Sequence, residues 1–175
     1  MAVASRISIM VRALESQSRD LGLATMPHLV EYPTPAVNSG SPEFATGTAS
    51  YQFDRVWSDQ RTLTATSEDL DLAGVLTSQL DGSTITFVEI GGILIYNTST
   101  TAALTVGGAA ANQAFTGLFA AATERLKVGP LGQVAWVSPI DGGGLTVVAG
   151  TADQLKIDAG AATITYQIVL LGRSA

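Results

Sequence analysis

Between Leu145 and Leu171 apolar and polar residues alternate almost without a break, and no other property of the chain restricts its folding so tightly. Leu145, Val147 and Ala149 stand against Thr146 and Val148; Leu155 and Ile157 follow; Ile164, Tyr166, Ile168 and Leu170 then alternate with Thr163, Thr165 and Gln167. A repeat of two places one side of an extended chain in a core and the other outside it. The interruptions, residues 150–153 and 158–161, are short and built from Gly, Thr, Ala and Asp. Three strands are expected here, neighbours pairing antiparallel as a β-meander.

Upstream the same grammar continues. Tyr51, Phe53 and Val56 or Trp57 indicate a first strand, Arg61 to Thr66 and Glu68 to Leu72 two more around Ser67, with Leu70 and Leu72 on one side and Asp69 and Asp71 on the other. Ile85 and Phe87 alternate with threonines until the phase shifts at Glu89-Ile90 and Gly91-Gly92 interrupts, the signature of a bulge or sharp bend. Ile93 to Tyr96 form a continuous apolar run, expected of a central strand covered on both faces. Leu104 and Val106 lead to Gly107-Gly108, while Ala109 to Ala122 fits either a helix or a loop with one turn. Leu126 with Val128, and Val134 with Trp136, flank the Gly129-Pro-Leu-Gly132 turn, and Asp141-Gly-Gly-Gly144 leads to the closing strands. About eight short strands with regular turn punctuation predict an all-β fold, an antiparallel β-sandwich of jelly-roll type.

Composition explains what such a sandwich has to do with its surface. The 175 residues are 46% hydrophobic but only 14% charged, where soluble domains average about 25% charged. Mean hydropathy is +0.31. No run of about 18 apolar residues accounts for this through a membrane span, and Met1 to Val11 lacks the uninterrupted apolar stretch of a secretory signal. The surplus is spread through the strands, so much of the surface is expected to meet other protein chains. Net charge is -6. No Lys or Arg lies between Arg61 and Arg125, a span that holds Glu68, Asp69, Asp71, Asp81, Glu89 and Glu124. That distribution repels phosphate and argues against a nucleic-acid partner.

The first fifty residues differ from the rest. Ile7, Met10, Val11 and Leu14 fit a helical stripe, and Ile7, Ile9 and Val11 equally fit a strand; periodicity leaves both open. Pro27, Pro33, Pro35 and Pro42 then hold the chain extended and remove amide donors. Residues 1–50 therefore read as an extended arm on a body of 51–175. Leu29, Val30, Tyr32 and Phe44 are too apolar for a solvated tail. Ile7, Ile9, Val11, Leu29, Tyr32 and Phe44 in the arm, with Trp57 and Trp136 in the body, are the candidate partner contacts, the tryptophans serving as core or interface anchors.

Motifs for chemistry are sparse. Cysteine is absent, which excludes disulfides and thiolate sites. His28 is the only histidine and sits in the arm, far in sequence from any rigid Ser and Asp pair. Glu68, Asp69 and Asp71 lack calcium-loop spacing and read as a solvated face. Neither Gly107-Gly108 nor Gly142-Gly-Gly144 leads into a phosphate-binding helix. No cofactor, no metal and no enzymatic activity are expected. Sugar cleavage or binding would need aromatic platforms and a carboxylate pair, and aromatics are 6% of the chain.

Five stretches carry a family likeness: Asp54-Arg-Val-Trp-Ser-Asp-Gln-Arg-Thr-Leu63, Ser67-Glu-Asp-Leu-Asp-Leu-Ala-Gly74, Val106-Gly-Gly-Ala-Ala110, Ala149-Gly-Thr-Ala-Asp-Gln-Leu-Lys156 and Ile168-Val-Leu-Leu-Gly172. Together they resemble small tailed-bacteriophage virion structural proteins, over the body from about residue 51 onward. The likeness brings no catalytic motif with it. It implies a virion component on the outer surface of the capsid, a decoration or cement protein whose partners are the major capsid protein and itself, as a homotrimer at three-fold lattice positions. A tail, baseplate or fibre component is the alternative, followed by a carbohydrate-binding module or a sugar-active enzyme.

Overall fold

The computed structural model describes residues 43–175 apart from 75, 79–81, 110, 115–117, 120 and 122, together with the strands Ser5–Arg6, Val11–Glu15 and His28–Tyr32. The chain divides into two compact units, Ser5–Phe44 and the remainder. In the smaller unit β1 (Ser5–Arg6) pairs antiparallel with β4 (Glu43–Phe44), and β2 (Val11–Glu15) pairs antiparallel with β3 (His28–Tyr32), setting Leu14 opposite Leu29 and Val11 opposite Tyr32. The ambiguity between helix and strand thus resolves to strand over Val11–Glu15. Ile7 and Ile9 lie outside the described residues.

The larger unit is a jelly roll. Its strands are β5 (Arg55–Thr64), β6 (Ser67–Asp71), β7 (Leu76–Thr77), β8 (Thr84–Ile85), β9 (Glu89–Asn97), β10 (Leu104–Gly107), β11 (Arg125–Val128), β12 (Gln133–Val137), β13 (Leu145–Thr146), β14 (Gln154–Asp158) and β15 (Thr163–Arg173). One sheet has the order β12-β9-β15-β5, with β13 continuing beside β9; the other is β11-β10-β14-β6. Every pairing in both sheets is antiparallel. Setting aside the short β7, β8 and β13, the strand order in the two sheets is first, eighth, third, sixth and second, seventh, fourth, fifth. That is two interleaved Greek keys.

The β-meander expected from Leu145 to Leu171 is corrected by this topology. Strand β13 pairs with β9, β14 lies in the opposite sheet between β10 and β6, and β15 returns between β9 and β5. Alternation reports that one side is buried, and it is satisfied equally by a neighbour in sequence or by a strand a hundred residues away. Two expected strands around residues 51–66 are likewise one ten-residue strand, β5, and Tyr51 sits before it in a left-handed turn with φ of 60°. No helix occurs among the described residues of 109–122.

The expected bulge is present. Between Leu171 and Gly172 the register of β15 on β9 slips, so that Leu171 faces Gly92 and Gly172 faces Ile90, leaving Gly91 unpaired. A Cβ on Gly91 would lie 2.3 Å from the Phe53 ring, and one on Gly172 would lie 2.2 Å from the Glu89 carbonyl oxygen. Both positions require glycine because of close approach. Between the sheets, Ile164, Tyr166, Ile168 and Leu170 of β15 meet Ile90, Ile93 and Ile95 of β9, with Leu104, Val106, Leu155 and Ile157 contributed by the four-stranded sheet. Each fully buried Leu or Ile stabilises the fold by roughly 1.5–3 kcal/mol.

Candidate functional site

Two features stand out from the core: a polar cluster inside one open side of the sandwich, and an uncharged face outside it. The cluster starts from β5, whose inward residues are Trp57, Asp59, Arg61 and Leu63 by parity. Glu68 of β6 has the parity of Leu70 and points inward as well, whereas Asp69 and Asp71 point out. Arg61 Nε lies 2.7 Å from Glu68 Oε2 and its Nη1 3.1 Å from Asp59 Oδ2. Tyr166, directly across the ladder from Arg61, donates its hydroxyl to Glu68 Oε1 at 2.7 Å. The group lines a cleft of about 170 Å³ with Trp57, Leu70, Leu76 and Thr77.

Both oxygens of Glu68 are engaged, one by a guanidinium and one by a phenol, so the cluster ties the two sheets together. It also guards an edge. Strand β5 ends its sheet, and any strand added there would cover Arg61 and Asp59, whose charges now reach water through the open cleft. The three acids Glu68, Asp69 and Asp71 are split between two faces, and among the described residues no group of three His, Cys, Asp or Glu is placed to hold a metal ion.

Burial, followed by the hydrogen bond to Glu68 and the charge of that carboxylate, raises the pKa of Tyr166 far above the ordinary tyrosine value. Because the folded pKa exceeds the unfolded value near 10, the stability linked to this group is complete below about pH 10 and declines above it, where only the unfolded chain releases the proton. One of the four tyrosines is therefore expected to give no phenolate absorbance until the protein unfolds. In Tyr166→Phe the fall of the unfolding midpoint above pH 10 should be shallower; an equal fall would show that Tyr166 titrates in the folded state.

The outer face of the five-stranded sheet is read directly from its register. Across it run Thr62 and Thr165, then Gln60, Gln167, Tyr96 and Gln133, then Ser58, Val169, Leu94 and Ala135, then Val56, Leu171, Gly92 and Val137. None of these residues carries a charge. Thr62 and Thr165 share a hydroxyl hydrogen bond of 2.8 Å, and Gln167 donates to Gln60 at 3.0 Å. Leu94, on a central strand, is 40% exposed. The apolar run Ile93 to Tyr96 is thus covered on one face only, which corrects the expectation of cover on both. The four-stranded sheet presents the opposite character: Arg125, Lys127, Lys156 and Asp158 with Asp69 and Asp71, Lys156 standing directly across from Asp69.

Of the residues expected as core or interface anchors, Trp57 lies in the core and not at a contact surface: it is 2% exposed and its Nε1 donates to the Thr77 carbonyl at 3.0 Å. Phe44 is also buried. Trp136 is half-buried beside Leu118, Leu126 and Val134 at the side of the sandwich opposite the polar cleft. Val11, Leu29 and Tyr32 lie on the β2–β3 ladder. Sequence reading missed Asp59, Arg61 and Tyr166 as a cluster, although the charged Asp59 and Arg61 at alternating positions in an otherwise apolar inward face were the available signal.

Compared with protein-family models, curated proteins and solved structures, the chain matches none. The fold defines the class: an antiparallel jelly-roll β-sandwich, with a second compact unit that holds the β2–β3 ladder.

Proposed function

We propose that this chain is a structural virion subunit, a decoration or cement protein on the outer surface of a tailed-phage head, bound between major capsid subunits. The observation that carries the reading is the absence of charge along the outer rows of the five-stranded sheet from Thr62 to Val137, with Leu94 40% exposed at their middle. A sheet face left to water normally carries polar and charged side chains; this one is polar at Thr62, Gln60 and Gln167 but uncharged, and apolar through Val169, Leu94 and Ala135, which supports reading it as a contact surface. The four-stranded sheet, with Lys156 across from Asp69 and an Arg125–Asp158 ion pair at 3.8 Å, suits the solvent side. A net charge of -6 favours the outside of a DNA-filled shell over its interior.

Imaging of virions carrying a label on this protein tests the reading through copy number. Hundreds of copies spread over the head are expected. A handful of copies at the tail would move the assignment to a tail, baseplate or fibre component, and absence from the particle would refute both.

A further inference from the structure

We infer that in free solution, off the particle, the occupant of the five-stranded sheet's outer face is a second copy of this chain, packed face to face. The inference rests on reading that face as a contact surface, and it adds the identity of what covers it.

Charge decides first. Two copies of a chain with net charge -6 repel across most of their surfaces, and like charges brought together at a contact cost several kcal/mol. The rows from Thr62 and Thr165 to Val56 and Val137 are a region where two copies can meet without opposing any charge. Hydrogen bonding is equally permissive. The Gln60 and Gln167 amides and the Thr62 and Thr165 hydroxyls each offer both donors and acceptors, so the same row on a twofold-related copy can satisfy them.

Edge pairing, the other common route for β proteins, is obstructed on this sheet. Strand β5 carries Asp59 and Arg61 inward behind its free edge. The opposite edge is broken into the short β12 and β13 by the loop between them. What remains is the flat side.

Area is sufficient for a moderate contact. Four strands about 4.8 Å apart and five residues at about 3.4 Å each give a patch of roughly 300 Å² in projection, Leu171 and Gly92 being already buried at one end, and side-chain relief raises the accessible area. Two such faces bury on the order of 1,000 Å², the lower bound of specific interfaces. A face-to-face contact closes at two copies. In free solution a dimer is therefore the expected state, and any three-fold arrangement belongs to a lattice on which the copies sit.

Sedimentation velocity of the full chain tests this. The wild type is expected to dimerise with a Kd on the order of micromolar, and Leu94→Lys to weaken that by at least about thirtyfold. Because Leu94 is already 40% exposed, the substitution should leave thermal unfolding near wild type, and Gln167→Glu on the same face provides a second variant. Mixing Leu94→Lys with Leu94→Glu should restore association, which a folding defect would not. Lys156→Glu, on the ionic face, should change nothing. A wild type that stays monomeric at about 200 µM, far above that Kd, or a Leu94→Lys protein that associates like wild type, overturns the inference. In that event, loss of virion attachment by Leu94→Lys would still leave the contact-surface reading standing, with a different occupant.

Discussion

Replacing Arg173 by alanine is expected to destabilise the body by about 3–5 kcal/mol, the usual consequence of stranding one member of a buried ion pair. Arg173 is fully buried near the C-terminal end of β15, and its Nη1 lies 3.0 Å from Glu89 Oε2. Its parity is that of Leu171, so the pair sits on the outer side of the five-stranded sheet, beneath residues 45–54 and the loop after β12. The guanidinium donates to the carbonyls of Pro139 and Ala49, and its carbon is 5.2 Å from the Phe53 ring centroid. Glu89 in turn accepts from the amide of Gly144 at 2.6 Å, in a cradle where a Cβ on Gly144 would come within 2.3 Å of the carboxylate.

For a body of this size the loss corresponds to a fall in Tm of roughly 10–20 °C, measurable by circular dichroism. Glu89→Ala should cost a similar amount. The double variant Arg173→Met with Glu89→Met should recover part of the loss, because no lone charge remains, but not all of it, because the Pro139 and Gly144 backbone groups lose their partners. Single and double effects that simply add to within about 0.5 kcal/mol would show that the two side chains are not coupled.

Asn97 supplies the second large effect. Its side chain is completely buried at the end of β9, where Nδ2 donates to the carbonyls of Ala102 at 2.8 Å, Gly129 at 3.0 Å and Val128 at 3.1 Å, and Oδ1 accepts from the Ser99 amide at 3.0 Å. One amide thus fastens the five-stranded sheet to the loop before β10 and to the turn after β11. Asn97→Ala is expected to cost about 2–4 kcal/mol, since several buried backbone groups lose their partner at once. Asn97→Asp should cost at least as much despite its matching shape, because an ionised carboxylate has no donor and would face three carbonyl oxygens. Protonation returns one donor, so the Asn97→Asp defect should shrink as pH falls from 8 to 4. Equal denaturation midpoints for Asn97→Asp and wild type at pH 8 would remove this amide from the set of structural ties.

Both residues were invisible to pattern reading for the same reason. Asn97 follows the apolar run Ile93 to Tyr96 and has the inward parity of Ile95, yet Asn at a strand end is ordinarily a turn residue facing water. Arg173 and Glu89 lie 84 positions apart, by the difference of their numbers in the sequence, and nothing local to either announces that a covering segment will bury them. The inward cluster of Arg61, Glu68 and Tyr166 belongs to the same category, since its members come from three strands in two sheets. The bulge at Gly91, by contrast, was legible because a phase shift in the alternation and a glycine pair fall together in one short window.

By itself the sequence determined that this chain is built from strands, which side of most of them is buried, and where the turns fall, because a period of two and the special backbone needs of Gly, Pro and Asp are local properties. Its scarcity of charge set the expectation of a surface that meets other protein chains. Only the tertiary structure decided which strand lies beside which, since ladder hydrogen bonds join backbone groups that are chemically the same at every residue and carry no address. Only it decided, too, that the outer rows of the five-stranded sheet from Thr62 to Val137 hold no charge while the outer face of the four-stranded sheet holds Arg125, Lys127, Lys156, Asp158, Asp69 and Asp71, leaving Leu94 40% exposed on a central strand.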